Sequence, residues 1–376
     1  MTESLVIHNA RIVDGGRVTT DGWLRIEDGL VTRRGSGGTW SPAATVHDAG
    51  GAWVAPGFVD IHSHGGGGFS SEDGPDAIRG LVAFHRRRGT TAMVVSLATA
   101  PFDRLMARLA DIRDVAREDA RVLGAHLEGP FLDDGHRGAH DPSLLLVPTP
   151  ALVREMLDTA DGCLRQITLA PEHASAEVIE ALLDAGVRIA VGHTSATRAQ
   201  ALAAYRRGAN LLTHAFNGMP GLHHREPGPI MAALESGATL EVIADGAHVD
   251  PSVVALLFTL APGRVALVTD AMAAAGSGDG EYRLGSHTVV VRDGIAMLAD
   301  GSSLAGSTLT LDRAVRVTHA AGVPLAQAVL AATGTPARAI GAEGIGTLEI
   351  GSRADVVQLD DALEVAAVWS RGIREC

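Results

Sequence analysis

The sequence predicts an α/β fold: a closed (β/α)8, TIM-like barrel with a small β-sandwich domain formed by the N- and C-terminal segments. Between residue 57 and residue 343, eight short apolar runs alternate with longer Ala/Leu/Arg segments of helical spacing. Strands that are apolar throughout are typical of parallel sheets buried on both faces, and eight strand–helix units in a row favour a closed barrel. Both ends of the chain instead alternate apolar and polar residues in short runs, which is typical of antiparallel strands.

The two terminal segments are predicted to form the sandwich together. Residues 1–55 contain LVIHNARIVD, GWLRIEDGLV and ATVHDAGGAWV, and residues 344–376 contain GTLEIGSRADVVQLD and LEVAAVWSRGI. Neither segment alone has enough strands to bury one face of a sheet. We therefore expect one domain from 1–55 and 344–376, with the barrel over 56–343.

The barrel strands are assigned to the apolar runs in chain order. These runs are GFVDIHSH, TTAMVVSLAT, VLGAHLEGP, RQITLAPE, VRIAVGHTS, NLLTHAFNG, LEVIADGAH and VALVTDAM. Segments such as DAIRGLVAFHRRRG and SAEVIEALLDAGV have the spacing of the intervening helices. After the eighth strand, EYRLGSHTVVVRDGIAMLADGSSLAGS predicts a hairpin, and LDRAVRVTHAAG and PLAQAVLAATGTPARAIG predict the closing helices.

Composition excludes several classes of function. The chain has 376 residues, a net charge of −13 and only 3% aromatic residues, so nucleic acid and anionic membrane surfaces are poor partners. It contains no lysine, which excludes a Schiff base, a P-loop lysine and a carboxylated lysine between two metals. Two cysteines, no signal-peptide pattern and no apolar run of about 18 residues predict a reducing, cytoplasmic location.

Residue types that bind metals follow several of the predicted strands. His62 and His64 are two apart on a strand, so both side chains point to the same face and can reach one ion. The other candidates at strand ends are Glu128, His193, His214 and Asp270. Because the carboxyl ends of the strands of a (β/α)8 barrel form its active site, the sequence predicts a metal centre there. His126, two residues before Glu128, is interpreted as a buried core histidine.

These motifs also resemble a known family. The HSH after PGFVD, the late strand that ends in Asp and the segment GTLEIGSRADVV resemble the amidohydrolase superfamily. More narrowly, HLEGPF, VGHTSAT, THAFNGMPGLHHREPG, IADGAHVD, VTDAMAAAG and DGSSLAGSTLTLDRAV resemble the N-acetylglucosamine-6-phosphate deacetylases. The resemblance extends over almost the whole chain.

The resemblance implies hydrolysis of the N-acetyl amide of N-acetyl-D-glucosamine 6-phosphate to D-glucosamine 6-phosphate and acetate. Metal-activated hydroxide would attack, and Asp270 would act as acid and base. Two divalent ions are expected, bridged by Glu128, with His62 and His64 on one ion and His193 and His214 on the other. Zn²⁺ suits these ligands best, although Fe²⁺, Co²⁺ or Mn²⁺ would fit a similar set.

The same resemblance implies a phosphate-binding wall in a protein of negative net charge. His140 is expected near the sugar and the carbonyl, Arg225 is expected to clamp the phosphate, and His248 is the second candidate for that contact. The remaining expected substrate contacts are Ala139, Asn217, Gly218 and Leu304. In relatives, some of these groups can serve a neighbouring subunit's site, so we expect a homodimer.

Two alternatives stay open at this stage. The substrate could be another N-acetylhexosamine phosphate, such as N-acetylgalactosamine 6-phosphate, because Arg225 and Asn217 do not distinguish C4 epimers. A metal-holding binding protein without turnover is the alternative from a different class, and it has no need of Asp270. Whether the reaction serves amino-sugar catabolism or cell-wall recycling is not encoded in these residues.

Overall fold

The N-terminal segment forms antiparallel strands. The computed structural model describes residues 4–376. Its first strands are β1 (Ser4–Asp14), β2 (Arg17–Glu27), β3 (Leu30–Ser36), β4 (Thr45–Asp48) and β5 (Trp53–Pro56). β1 pairs antiparallel with β2 and parallel with both β4 and β5. β1 is therefore the centre of this sheet, in agreement with the alternating pattern of its sequence.

The middle of the chain forms the barrel. Its strands are β6 (Phe58–Ser63), β7 (Gly65–Gly66), β8 (Phe69–Ser70), β9 (Thr90–Ala98), β10 (Val122–Glu128), β11 (Leu164–Leu169), β12 (Arg188–Val191), β13 (Leu211–Leu212), β14 (Thr239–Val242) and β15 (Val265–Leu267). Apart from the β7–β8 hairpin, they form one eight-stranded sheet in chain order. The backbone N–H of Asp270 donates to the carbonyl of His62 at 2.8 Å, which joins the last strand to the first. The predicted barrel is confirmed.

Helices cover the outside of the barrel. They are α1 (Pro75–Arg86), α2 (Phe102–Glu118), α3 (Pro150–Ala160), α4 (Ala176–Asp184), α5 (Arg198–Arg206), α6 (Gly228–Ser236), α7 (Pro251–Leu260), α8 (Leu311–Ala320), α9 (Leu325–Ala331) and α10 (Gly334–Ala339). Their starts are encoded locally; for example, the side chains of Thr197 and Gln200 form a capping box on α5. Within residues 4–376, no helix has both the length and the apolar character needed to cross a membrane.

The insertion after the last barrel strand has one strand more than predicted. β16 (Gly280–Leu284), β17 (His287–Arg292) and β18 (Ile295–Leu298) form an antiparallel sheet of three strands instead of a two-stranded hairpin. The second turn is Asp293-Gly294, with both residues at positive φ, which is a strong hairpin signal. Val289 and Leu298 pack with Met272, so the insertion lies against the loop that follows Asp270.

The C-terminal segment completes the first sheet. It contributes β19 (Val356–Leu359), β20 (Val365–Ser370) and β21 (Ile373–Arg374). β19 pairs with β5, which gives the order β21-β20-β19-β5-β1-β2-β3 with β4 on β1. Ile7, Leu24, Val356 and Trp369 are buried in a core separate from that of the barrel. The joint β-domain is confirmed, with its strands hydrogen-bonded into one sheet, while the boundaries at 55/56 and 343/344 stay predictions.

Candidate active site

The strand ends bring the predicted metal-binding side chains together. His62 lies in β6 and Glu128 is the last residue of β10, while His193, His214 and Asp270 follow β12, β13 and β15 within three residues. Parallel strands of a barrel all end at the same opening, so these side chains share one mouth. His64 follows β6 and completes the set.

Glu128, His193 and His214 form a group of converging acceptors. The Nδ1–H of His193 donates to the carbonyl of His136 at 2.9 Å, and that of His214 donates to the carbonyl of Asn217 at 3.1 Å. Each Nε2 therefore carries a lone pair, and both lie 3.0 Å from Glu128 Oε1. The two Nε2 atoms are 3.1 Å apart. Acceptors this close in a buried site require a cation or a proton between them.

His62, His64 and Asp270 face the same glutamate from the other side. His64 Nε2 lies 3.1 Å from Glu128 Oε2 and 3.4 Å from Asp270 Oδ1. His62 Nε2 lies 3.2 Å from His64 Nε2 and 3.4 Å from Glu128 Oε1. Burial alone would lower the pKa of His62, yet the carboxylates of Glu128 and Asp270 raise it well above its usual value. The site thus favours positive charge, and its imidazole and carboxylate donors indicate a divalent metal.

Three of these residues hold unusual backbone conformations. The φ angles are +47° at His193, +22° at His214 and +46° at Asp270. Non-glycine residues with positive φ are strained and cluster at functional sites. The strain at Asp270 is held by two backbone hydrogen bonds, to the carbonyl of His62 at 2.8 Å and from the N–H of Ser307 at 2.7 Å. These turns end the strands abruptly and fix where the side chains lie.

An open cavity lies above these residues. The predicted site residues that line it are His64, Glu128, Ala139, His140, His193, His214, Asn217, Gly218, His248, Asp270 and Leu304. The lining also includes residues that sequence reasoning missed, among them Thr99, Asp141, Ser286 and His287. His287 is missed because nothing in its local sequence shows that the β16–β17 turn reaches the cavity.

The pKa values of two of the lining histidines are shifted in opposite directions. Burial lowers the pKa of His140 to about 4, and its Nδ1 accepts from the N–H of Thr99 at 3.3 Å. His140 is therefore neutral at pH 7 with a proton on Nε2. Burial alone would lower the pKa of His248, but its hydrogen bond to Asp245 Oδ2 at 2.7 Å raises that pKa. This second histidine is the one suited to an anion.

Of the predicted substrate contacts in the segment after β13, two line the cavity and the third lies outside it. Asn217 and Gly218 line the cavity. Gly218 has a φ of +59°, and a Cβ there would lie 2.8 Å from His193 Nδ1, so the glycine lets the loop approach that ring. Arg225 is exposed, with Nη1 2.8 Å from His224 Nε2, and it does not belong to the cavity lining. Arg225 therefore does not reach the cavity of its own chain, and its expected phosphate contact stays a prediction.

Beneath the metal-binding side chains lies a buried polar layer. His126 has a hydroxyl partner on each ring nitrogen, Ser96 at 2.9 Å and Thr168 at 2.8 Å. Its interpretation as a core histidine is confirmed. Glu241, which sequence reasoning missed, is fully buried and lies 3.2 Å from His62 Nδ1.

Residues 53–373 match the family model described as Amidohydrolase family, and the chain belongs to this family. Individual relatives of the chain have more narrowly defined names. The chain is 38% identical over 371 residues to the N-acetylgalactosamine-6-phosphate deacetylase of Escherichia coli O157:H7, covering 94% of this chain and 96% of that protein. It is 36% identical over 327 residues to the N-acetylglucosamine-6-phosphate deacetylase of Vibrio furnissii, covering 85% and 82%.

Solved structures agree with these relatives. A mutant of the N-acetyl-D-glucosamine-6-phosphate deacetylase of Mycobacterium smegmatis, in complex with N-acetyl-D-glucosamine 6-phosphate, superposes with a TM-score of 0.94 at 38% identity, covering 99% of each chain. The N-acetylglucosamine-6-phosphate deacetylase of Pasteurella multocida superposes with a TM-score of 0.95 at 26% identity, covering 99% of this chain and 100% of that one. The whole architecture is therefore shared with deacetylases of N-acetylated amino-sugar phosphates.

Proposed function

We propose that this amidohydrolase hydrolyses the N-acetyl amide of N-acetyl-D-glucosamine 6-phosphate to D-glucosamine 6-phosphate and acetate. The observation that carries the proposal is the position of Asp270. Its Oδ1 lies 3.4 Å from His64 Nε2 and 3.5 Å from His62 Nε2, at the base of an open cavity. A carboxylate beside a metal site is placed to move a proton during amide hydrolysis, and a protein that only stored metal would not need it.

We propose that two divalent ions bind here, Zn²⁺ being the best suited, with Fe²⁺, Co²⁺ or Mn²⁺ as alternatives. His193 and His214 would hold one ion and His62 and His64 the other. The bridging role of Glu128 is supported by its two oxygens, because Oε1 faces His193 and His214 at 3.0 Å and Oε2 faces His64 at 3.1 Å. When bound, such ions acidify water and polarise a carbonyl.

The protein's own groups account for the proton transfers. Asp270 takes a proton from the attacking water, whose oxygen bonds to the acetyl carbon. When the C–N bond breaks, Asp270 returns that proton to the leaving nitrogen, which departs as the amine of the sugar. His140, neutral and protonated on Nε2, can donate to the acetyl oxygen as negative charge develops there.

The phosphate is proposed to bind at the wall formed by Asn217, Gly218 and His248. The raised pKa of His248 beside Asp245 favours an imidazolium, which suits a phosphate dianion. Arg225 lies exposed outside the cavity of its own chain, so its proposed role as a phosphate clamp requires the site of a neighbouring subunit. A homodimer is proposed on this ground, and the cytoplasmic location remains a prediction.

A second substrate is favoured by one specific observation. Two of the relatives are N-acetylgalactosamine-6-phosphate deacetylases, the E. coli O157:H7 protein at 38% identity and that of Shewanella sp. (strain ANA-3) at 34%. The galacto epimer differs only at C4, so the same metal site and phosphate wall could serve it. N-acetyl-D-galactosamine 6-phosphate is therefore the alternative substrate.

The test is acetate release from the two epimeric phosphates at equal concentration. We expect faster release from the gluco epimer, little from unphosphorylated N-acetylglucosamine, and loss of activity in the presence of a chelator. A clear preference for the galacto epimer would replace the first substrate with the second. If neither phosphate yields acetate in protein that retains metal, the correct interpretation is the alternative one, a metal-holding binding protein without turnover.

A further inference from the structure

Glu241 is a buried carboxylate directly behind the metal site. It lies within β14, its side chain has no exposure, and it points into the barrel interior. Its Oε2 lies 3.2 Å from His62 Nδ1, and its Oε1 accepts from Gln166 Nε2 at 2.6 Å. Neither contact is to an arginine, so the positive charge that could compensate this buried carboxylate has to reside on the His62 ring or on a cation bound to that ring.

The charge of Glu241 is compensated most simply by a cation on the far side of the His62 ring. With Nδ1–H donating to Glu241, the neutral His62 ring that a metal ion requires presents its Nε2 lone pair, which faces Glu128 and His64. We infer that Glu241 is a positioning residue for the metal site: it fixes the tautomer of His62 and, through its charge, strengthens cation binding at His62 and His64. This inference rests on the metal centre of the proposed function, but not on its substrate.

The other three metal-binding histidines lack a comparable charged partner. The Nδ1–H groups of His193 and His214 donate to backbone carbonyls. His64 Nδ1 is buried and has no hydrogen-bond partner among residues 4–376. A carboxylate that accepts from a metal-binding imidazole raises the basicity of that ligand. Loss of the charge on Glu241 should therefore weaken the binding of the cation at His62 and His64 and leave binding at His193 and His214 nearly unchanged.

Glu241→Gln isolates the charge from the packing. Gln166 Oε1 is buried without a partner in the described structure. If the Gln166 amide flips, it can accept from the new amide N–H, while the new carbonyl still accepts from His62 Nδ1. The variant therefore keeps its volume and its hydrogen bonds. Thr168→Val is the matched control, since it removes a buried hydroxyl that bonds to His126 and Thr213 and makes no hydrogen bond to a metal-binding ring in the described structure.

The experiment is a titration of chelator-treated protein with Co²⁺ alone, followed by its visible absorption and by equilibrium dialysis. We expect Glu241→Gln to lower the affinity for the Co²⁺ ion held by His62 by about 10- to 100-fold, the usual effect of removing such a partner. His62→Gln should remove that cation, and the double variant should show no additional loss. Thr168→Val should bind Co²⁺ as the unaltered protein does.

Two results would overturn the inference: unchanged Co²⁺ binding by Glu241→Gln, or an equal loss with and without His62. A variant that fails to fold would be detected by its far-UV circular dichroism. Glu241→Asp would then take its place: its carboxylate is one methylene shorter and loses the contact with His62 Nδ1, so it should also bind Co²⁺ at His62 more weakly, with no additional loss in the His62→Gln background. Because no substrate is present, these results do not depend on acetate release. Failure of the proposed substrate would instead appear as intact Co²⁺ binding without turnover.

Discussion

Replacing Asp270 by asparagine tests the acid–base role most directly. The change keeps the size of the side chain, and the backbone around it is held by hydrogen bonds of 2.7 and 2.8 Å that involve no side chain of Asp270. Asp270 is only 8% exposed and lines the cavity, and the other carboxylate beside His62 and His64 is Glu128, which is proposed to hold the metal ions. The fold and the ligands His193, His214 and Glu128 should remain intact.

The expected magnitude follows from the step that is lost. A positioned acid or base contributes typically 10²- to 10⁴-fold, or about 3–5 kcal/mol of barrier. We expect kcat of Asp270→Asn to fall by this factor while metal remains bound at His193 and His214. The assay is acetate release at saturating substrate, paired with metal analysis of the same sample. Asp134→Asn, on the exposed part of the loop after β10, serves as the surface control. An unchanged kcat would remove Asp270 from the mechanism.

Three more experiments probe the phosphate contact, the metal and a buried histidine. Arg225→Ala should mainly raise KM, and an unaltered KM would exclude the phosphate clamp. If Arg225 acts on a partner's site, mixing this variant with the Asp270→Asn variant should restore activity. Dialysis against a chelator should abolish acetate release, and added Zn²⁺ should restore it, whereas activity that survives metal removal would contradict the metal mechanism. Burial lowers the pKa of His85 to about 4, below its unfolded value of about 6.5. The folded state therefore resists protonation, and stability present above pH 6.5 is lost as the pH falls toward 4, by about 3 kcal/mol from this group. In urea unfolding, His85→Gln, which can still donate to the carbonyl of Gly65, should show a shallower decline over that window; identical curves would refute the assignment.

The fold could be predicted because parallel barrel strands have a strong sequence signal. Every predicted apolar run overlaps one observed strand, from β6 at Phe58–Ser63 to β15 at Val265–Leu267. Their lengths were less predictable. β13 has only two residues, Leu211 and Leu212, although the run NLLTHAFNG is longer. The strand ends early because His214 turns to positive φ, and no propensity encodes this turn.

The convergence of the candidate metal-binding residues could be predicted because they occupy strand ends, where topology alone brings them together. The cavity wall could not, since Ser286 and His287 reach it only through the path of a three-stranded insertion. Arg225 shows the opposite case: its motif predicts a phosphate contact, but its exposed position in this chain does not provide one. The proposed contact of Arg225 across a subunit boundary cannot be placed from one chain.

Glu241 could not be identified from the sequence for a different reason. The strand TLEV alternates polar and apolar residues, and a glutamate within such a pattern is more simply interpreted as facing solvent. Only the register of β14 between β13 and β15 turns this side chain inward, toward His62 and Gln166. A fully buried carboxylate in that position is costly unless positive charge is close. The energetic argument for a cation at His62 therefore comes from the interior of the barrel, independently of the motif that first indicated a metal.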